Sequence, residues 1–202
     1  MIFRTLSNSE NTDKAVILLH GWRGSLTSME PIAKSLNIKQ VKWVFLQAPY
    51  LAKDGGFSWF DGNNDIGWDK KKSFGALNKL INKINMQGFP KSSIFILGFS
   101  QGACIAMEFI IRQTFSIGGI IPIAGFIRFK KEFKNDVLDQ SKDTSILLIH
   151  GKKDEVVPPE QSIIAKKLFQ EQGYSVEAHL FSAKHKFPLQ AKNLIHDFII
   201  NH

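Results

Sequence analysis

Short apolar runs alternate with amphipathic stretches along the whole chain. Most runs are apolar at every position, as in Ala15-Val16-Ile17-Leu18-Leu19, rather than at alternate positions. That pattern is typical of strands buried on both faces of a parallel sheet. The predicted strands cover residues 15–19, 43–46, 93–97, 118–123, 145–149 and 175–181, and residues 2–6 are predicted as an additional edge strand.

The stretches between these runs carry apolar residues at helical spacing. The clearest lies in 73–86, where Leu77, Leu80, Ile81 and Ile84 recur three or four positions apart. The predicted helices cover residues 28–36, 73–86, 103–113, 159–172 and 190–200. Strands that alternate with helices predict an α/β fold, a doubly wound and mostly parallel sheet with helices on both faces. Reactive groups of such sheets lie in loops beyond the carboxyl ends of the strands.

A serine flanked by glycines stands at one of these strand ends. The motif Gly98-Phe99-Ser100-Gln101-Gly102 follows the run 93–97 and precedes the predicted helix 103–113. A G-x-S-x-G motif between a strand and a helix makes a turn so tight that side chains at the glycine positions would clash. The turn places the serine hydroxyl at a helix N-terminus, where backbone N–H groups favour negative charge. Ser100 is therefore the predicted nucleophile.

A serine nucleophile needs a base and an acid, which follow it in the order serine, acid, histidine on this kind of turn. Of the six histidines, only His185 lies in a loop after the last predicted strand. Asp154 lies in the loop after the strand 145–149 and suits the acid, which would fix the imidazole tautomer. Its neighbour Glu155 is the alternative acid, whereas Asp143 precedes that strand and lies at the wrong end of the sheet.

Acyl transfer also needs hydrogen-bond donors for the oxyanion that develops on the carbonyl oxygen. The backbone N–H that follows the nucleophile, that of Gln101, is one predicted donor. The loop 20–24 after the first apolar run supplies the other, and within it we predict the N–H of Trp22. His20 and His150, each before a glycine at a strand end, are interpreted as residues that shape turns.

An aromatic-rich stretch flanked by glycines lies between residues 57 and 68. Two interpretations carry equal weight: a small cluster of the core, or the wall of an acyl pocket, since ligand pockets are lined by such residues. Trp59 and Phe60 are the candidate substrate-binding residues in this stretch.

Together these motifs resemble the carboxylesterase/phospholipase family, which includes acyl-protein thioesterases and small bacterial carboxylesterases. The matching pieces, in the family's order, are Leu19-His20-Gly21-Trp22, Trp59-Phe60-Asp61, the Gly98–Gly102 motif, and His150-Gly151 with Asp154 and Val157-Pro158. The resemblance implies a minimal α/β-hydrolase fold without a large lid, and hydrolysis of ester or thioester bonds with no cofactor. It assigns the nucleophile to Ser100, the acid to Asp154, the base to His185, and the oxyanion hole to Trp22 and Gln101.

Two departures from the family's pattern stand out. Lys184 occupies the position before the histidine where the family usually has glycine. The segment 121–138 is abbreviated, which suggests an open acyl groove.

The composition narrows the class of protein further. A length of 202 residues with 44% hydrophobic residues fits a single α/β-hydrolase domain over residues 1–202. No apolar run is long enough to span a bilayer, and the N-terminus lacks the pattern of a signal peptide. A lone cysteine, Cys104, cannot form an internal disulfide, so we expect a cytoplasmic protein. No Cys/His cluster has metal-ligand spacing, and no metal is expected.

The formal net charge is +8, but the lysines are scattered along the chain. Dispersed charge favours a solvated basic surface over a dedicated partner, and leaves open a weak association with anionic surfaces. No recognised nucleic-acid-binding motif is present, so no nucleic-acid partner is expected.

The sequence thus predicts a serine hydrolase that cleaves carboxylic esters or thioesters of small to medium acyl groups, from small-molecule or lipid substrates. A lysophospholipase or an acyl-protein thioesterase is the alternative among enzymes. A non-catalytic binding protein on the same fold is the alternative from another class. A nucleophile, an acid and a base in the right order argue against the last, because a binding protein needs none of them.

Overall fold

Strands alternate with helices throughout the computed structural model, which describes residues 1–7, 9 and 11–202. The strands are β1 (Phe3–Ser7), β2 (Lys14–Leu19), β3 (Val41–Leu46), β4 (Tyr50–Leu51), β5 (Phe57–Ser58), β6 (Asp61–Asn63), β7 (Gly67–Asp69), β8 (Ile94–Phe99), β9 (Gly119–Ile123), β10 (Ser145–Gly151) and β11 (Val176–Phe181). The α-helices are α1 (Glu30–Leu36), α2 (Lys71–Met86), α3 (Gln101–Ile110), α4 (Phe133–Asp136), α5 (Glu160–Glu171) and α6 (Lys192–Asn201).

The central sheet has seven strands in the order β1-β3-β2-β8-β9-β10-β11. Strand β1 pairs antiparallel with β3, and every other neighbouring pair in this sheet is parallel. Strand β1 therefore forms one edge of the sheet, β8 lies in the middle, and β11 forms the other edge. The predicted doubly wound and mostly parallel sheet is confirmed. No helix among the described residues is both long enough and apolar enough to cross a bilayer.

The two faces of the sheet carry separate parts of the core. In β2, Ile17 and Leu19 belong to the part of the core that includes residues of α2, α3 and α5, whereas Val16 and Leu18 belong to the part that includes residues of α1 and α6. All four side chains are fully buried. Successive side chains of a strand point to opposite faces, so a strand covered on both sides must be apolar at every position. This is the physical reason for the continuous apolar runs in the sequence.

The observed ends of the strand and the helix on either side of Ser100 differ from the predicted ends. Strand β8 runs on to Phe99 and α3 begins at Gln101, so Ser100 alone separates them. The helix starts two residues before the predicted residue 103, because Gly102 has a low helix propensity and masks the start at Gln101. Two small hairpins, β4–β5 and β6–β7, were not predicted, since strands of two or three residues leave no readable periodicity.

A buried carboxylate anchors the loop that follows β9. Glu108, on α3, is fully buried, and its Oε1 accepts the backbone N–H groups of Arg128 (2.8 Å) and Phe129 (2.9 Å). Its Oε2 lies 2.7 Å from Nη1 of Arg112, which also pairs with Asp136. Each oxygen of the carboxylate thus has a donor, so its charge is compensated inside the core.

Replacing Glu108 with Gln should lower the free energy of unfolding by about 2–4 kcal/mol, because an amide N–H₂ would face a donor and the half-buried Arg112 would keep only Asp136 as a charged partner. Urea denaturation of the purified variant measures the loss. Glu171→Gln is the matched control: its carboxylate pairs with Lys134 at the surface, where the exchange should change stability little. Equal effects of the two substitutions would contradict the anchoring role of Glu108.

Candidate active site

The backbone of Ser100 is held in a conformation that non-glycine residues rarely adopt, with φ 52° and ψ −115°. The flanking glycines make the turn sterically feasible. A Cβ on Gly98 would lie 2.3 Å from the carbonyl oxygen of Gly102, and a Cβ on Gly102 would lie 2.2 Å from that of Leu19. The Ser100 N–H donates to the carbonyl oxygen of Ile123 at 2.8 Å, which ties the turn to the neighbouring strand. The serine hydroxyl is therefore presented from a strained and fixed position.

The loop after β11 brings His185 to this serine. Its Nε2 lies 3.0 Å from Ser100 Oγ, and its Nδ1 lies 2.7 Å from Oδ2 of Asp154. A carboxylate only accepts hydrogen bonds, so Nδ1–H donates to Asp154 and the lone pair of Nε2 faces the hydroxyl. The ring of Phe99 packs 5.0 Å from the imidazole, centroid to centroid, and helps to fix its orientation.

Asp154 is buried and hydrogen-bonded on both oxygens. Its Oδ1 accepts the backbone N–H groups of Val156 and Val157, each at 2.9 Å, while Oδ2 accepts from His185. Burial acts to raise the pKa of the Asp154 carboxyl, but the hydrogen bonds from His185, Val157 and Val156 outweigh it and hold this pKa below its ordinary value. Asp154 is therefore ionised at neutral pH. The alternative acid, Glu155, is exposed to solvent.

A second imidazole approaches the same carboxylate. His150, fully buried at the end of β10, has Nε2 2.8 Å from the carbonyl oxygen of Val157 and 3.3 Å from Oδ2 of Asp154. Both of these are acceptors, so Nε2 carries the proton, and Nδ1 accepts from the hydroxyl of Ser162 at 2.6 Å. His150 thus holds the Asp154 loop in place through the Val157 carbonyl and lies beside the same carboxylate oxygen that His185 contacts.

A third histidine, which is fully buried, organises the loop after β2. His20 Nδ1–H donates to the carbonyl oxygen of Gly21 at 2.7 Å, and Nε2 accepts from the Gln47 side chain (3.0 Å) and the Ala48 N–H (3.2 Å). Burial lowers the pKa of His20, with a partly opposing hydrogen bond to Gly21, so the ring stays neutral. The Trp59 indole N–H donates to the His20 carbonyl oxygen at 2.7 Å. These bonds fix the backbone that leads into Trp22.

The two predicted oxyanion donors lie on the same groove as the serine. The N–H groups of Trp22 and Gln101 donate to no other residue that the structure describes. The Gln101 side chain is held away from the groove: its Oε1 accepts the Trp59 N–H at 2.9 Å, and its Nε2 lies 3.0 Å from Ser58 Oγ. The backbone of Gln101 therefore remains available to a ligand.

An open groove of about 520 Å³ runs past Ser100. Its walls include Phe60, Trp68, Phe126, Arg128 and Val157. Of the two candidate substrate-binding aromatics, Phe60 lines the groove, whereas Trp59 is fully buried behind it and contacts His20 and Gln101.

A second depression of about 370 Å³ lies on the other side, along the imidazole of His185. It is lined by Trp22, Met29, Phe99 and Phe187 among others.

Some residues of the site carried little signal in the sequence. His20 and His150 belong to motifs that carry the family resemblance, but nothing in the pattern showed that their rings would hold the loops of Trp22 and Asp154. Arg128 gave no signal, because it lies in a loop whose path the sequence does not reveal. Among the described residues, no cluster of three metal-ligating side chains is present.

Comparison with proteins of known sequence identifies relatives along almost the whole chain. Acyl-protein thioesterase 1 of Kluyveromyces lactis is 28% identical over 184 residues, 83% of this chain and 81% of the relative. A probable carboxylesterase, SOBER1-like, of Arabidopsis thaliana is 28% identical over 189 residues, covering 85% of this chain and 72% of the relative.

Solved structures share the fold. Esterase PE8 superposes with a TM-score of 0.85 at 21% identity, covering 98% of this chain and 97% of its own. SOBER1 of Arabidopsis thaliana superposes with a TM-score of 0.79 at 22% identity, covering 93% of this chain and 98% of its own. The predicted α/β-hydrolase fold is confirmed.

The sequence profile of the phospholipase/carboxylesterase family matches residues 1–202, from the first residue to the last. The resemblance inferred from the His20, Trp59, Ser100 and His150 motifs is therefore confirmed. This chain belongs to the phospholipase/carboxylesterase family of α/β-hydrolases.

Proposed function

We propose that this carboxylic ester hydrolase acts through an acyl-enzyme on Ser100, with His185 as general base and Asp154 as its acid partner. One observation carries the proposal: a hydrogen-bonded chain joins a strained serine to a buried, ionised carboxylate through one imidazole, over distances of 3.0 and 2.7 Å. Serine hydrolases on unrelated folds use this arrangement to make a neutral hydroxyl nucleophilic.

In the first half of the reaction, Ser100 Oγ attacks the substrate carbonyl carbon while His185 Nε2 takes the hydroxyl proton. The imidazolium that forms is stabilised by the carboxylate of Asp154. The carbonyl oxygen becomes an oxyanion, and the N–H groups of Trp22 and Gln101 donate to it. When the tetrahedral intermediate collapses, His185 returns the proton to the departing alcohol or thiol.

In the second half, water replaces the alcohol or thiol beside the imidazole. His185 takes a proton from that water, whose oxygen attacks the acyl carbon. The Ser100 ester then breaks, and Ser100 regains its proton from the imidazolium. Every proton transfer uses the same nitrogen, so the mechanism needs no cofactor.

The substrates that fit are esters and thioesters with small to medium acyl groups. The open groove beside Ser100 supports this range, as do relatives that are named thioesterases and carboxylesterases. A lysophospholipase activity is the second candidate, favoured by the family's name.

We place the reaction in the cytoplasm, since the only cysteine, Cys104, is buried and has no other cysteine to pair with.

Replacing Ser100 with Ala should abolish labelling by a fluorophosphonate and lower ester hydrolysis by roughly 10³-fold or more, because the attacking atom is lost. Mass spectrometry of the labelled wild type identifies the modified residue, and circular dichroism checks the fold of the variant. Folded Ser100→Ala protein that still turns over at the wild-type rate would refute the acyl-enzyme proposal.

Replacing Asp154 with Asn should lower kcat by on the order of 10³–10⁴, because an amide can donate to Nδ1 and stabilise the wrong imidazole tautomer. Glu155→Gln is the matched control: it removes a charge one position along, from an exposed side chain, and should change kcat little. Steady-state kinetics on one chromogenic ester compares the two. A greater loss in Glu155→Gln would reassign the acid.

His150 contacts Asp154 but not the serine. His150→Phe should lower kcat about tenfold or more, because the Val157 carbonyl loses its donor, Asp154 loses a polar neighbour at 3.3 Å, and the loop can shift. In His150→Gln, an amide N–H can replace Nε2–H, so part of the rate should return. If Phe and Gln variants of equal stability lose the same rate, His150 does not position the acid through this hydrogen bond.

A further inference from the structure

The side chain of Arg128 is a positive charge on the groove that no acidic group neutralises directly. Its guanidinium forms no ion pair within 4.0 Å and no hydrogen bond with any residue that the structure describes, and its Nε is buried without an acceptor. Burial lowers the pKa of this guanidinium, which reflects the cost of keeping the charge there. A buried donor without an acceptor is unfavourable unless something else supplies one.

Aromatic rings hold the guanidinium in place. Its carbon lies 4.4 Å from the ring centroid of Trp68, 5.1 Å from that of Phe60 and 5.2 Å from that of Phe126. Cation–π contacts of this kind use the rings' electron-rich faces and leave the N–H edges free to donate. The backbone of Arg128 is fixed separately, by its N–H bond to Glu108. The side chain is therefore preorganised and has unused donors.

Neighbouring charges do not cancel the charge of Arg128. Glu108 is close enough to favour the charged form, but its carboxylate is already paired with Arg112. The other charged residues that line the groove, Lys53 and Asp61, are exposed and of opposite sign, so they largely offset each other and are screened by water.

The chemistry of the proposed function indicates which part of the substrate enters this groove, and the inference rests on that function. The leaving group takes its proton from His185 Nε2, so it lies along the imidazole, where the second depression is found. The groove that Ser100 and Gln101 line, and His185 does not, is left for the acyl chain. Arg128 would then face the acyl chain and not the leaving group.

We propose that Arg128 makes the enzyme selective for acyl groups that end in a carboxylate, that is, for half-esters and half-thioesters of dicarboxylic acids. The planar guanidinium offers paired N–H groups that match the two oxygens of a carboxylate. Phe60, Trp68 and Phe126 contact the methylene part of the chain and keep the guanidinium oriented. A neutral acyl chain can still enter, but it leaves the donors of Arg128 unused.

The test compares thioesters of N-acetylcysteamine, whose hydrolysis releases a thiol that is measured directly. Glutaryl, adipoyl and suberoyl thioesters carry the free carboxylate, and their methyl-capped forms are the neutral partners of equal chain length. The readout is the ratio of kcat/KM for the free acid to that for its capped form. We expect a ratio of about ten or more for at least one chain length in the wild type, the effect of one charge-assisted hydrogen-bonded pair.

Arg128→Met keeps an unbranched apolar side chain between the rings and removes the charge. It should bring the ratio to about one or below, because only the free-acid substrates lose a hydrogen-bonded partner. Lys53→Met is the matched control, because it removes one positive charge from the exposed rim of the same groove, and it should leave the ratio unchanged. Arg128→Lys keeps the charge without the paired donors and should give an intermediate ratio.

A wild-type ratio near or below one at all three chain lengths overturns the selectivity, whether or not Arg128→Met folds. So does a ratio that survives Arg128→Met, which would make Arg128 a packing residue only. In both cases the capped substrates are still hydrolysed and the acyl-enzyme proposal stands. Wild-type protein that hydrolyses none of the thioesters and resists the fluorophosphonate instead refutes the proposed function, and this inference with it.

Discussion

The single constraint on which the site depends is the left-handed backbone of Ser100 between β8 and α3. That conformation exists only because Gly98 and Gly102 allow backbone atoms to approach to distances that a Cβ would forbid. It gives the hydroxyl a fixed direction and points the first N–H groups of α3 toward the groove. His185 and Trp22 lie on loops that follow other strands. The serine hydroxyl must be fixed for His185 to contact it and for Trp22 to line the same groove.

Around that turn, three histidines have different tasks. His20 is a buried, neutral ring that shapes the loop carrying Trp22, and His150 is a buried ring that supports the Asp154 loop by donating to the Val157 carbonyl. Of the three, only His185 has its Nε2 beside the serine and lines a depression. Residue type alone does not distinguish these tasks, whereas the hydrogen-bond partner of each ring nitrogen does.

Much of the architecture could be predicted from sequence, because strands that are buried on both faces are apolar at every position and are easy to recognise. The sequence runs that correspond to β2, β8 and β10 are apolar at every position. The loops with Trp22, Ser100 and Asp154 come directly after these strands. Ser100, Asp154 and His185, chosen by that reasoning, lie within one hydrogen-bonded chain. The hairpins and the path of the loop after β9 could not be predicted, since their positions depend on long-range contacts such as Glu108 with Arg128. For the same reason the sequence could not show that Trp59, a candidate substrate-binding residue, is fully buried behind the wall of the groove.

The burial of α3 has a consequence for how such an enzyme can diversify. All ten residues of this helix are buried, so nearly any change in it disturbs the core and the turn at Ser100 together. The hairpins β4–β5 and β6–β7, by contrast, are built from short strands whose residues are mostly exposed. These hairpins nevertheless supply Leu51, Asp61 and Trp68 to the groove. Insertions and substitutions there can reshape the groove beside Ser100 while the sheet, the helix and the chain of Ser100, His185 and Asp154 stay as they are. Descendants of this scaffold can therefore acquire new acyl preferences in small steps, each of which leaves a folded and reactive enzyme.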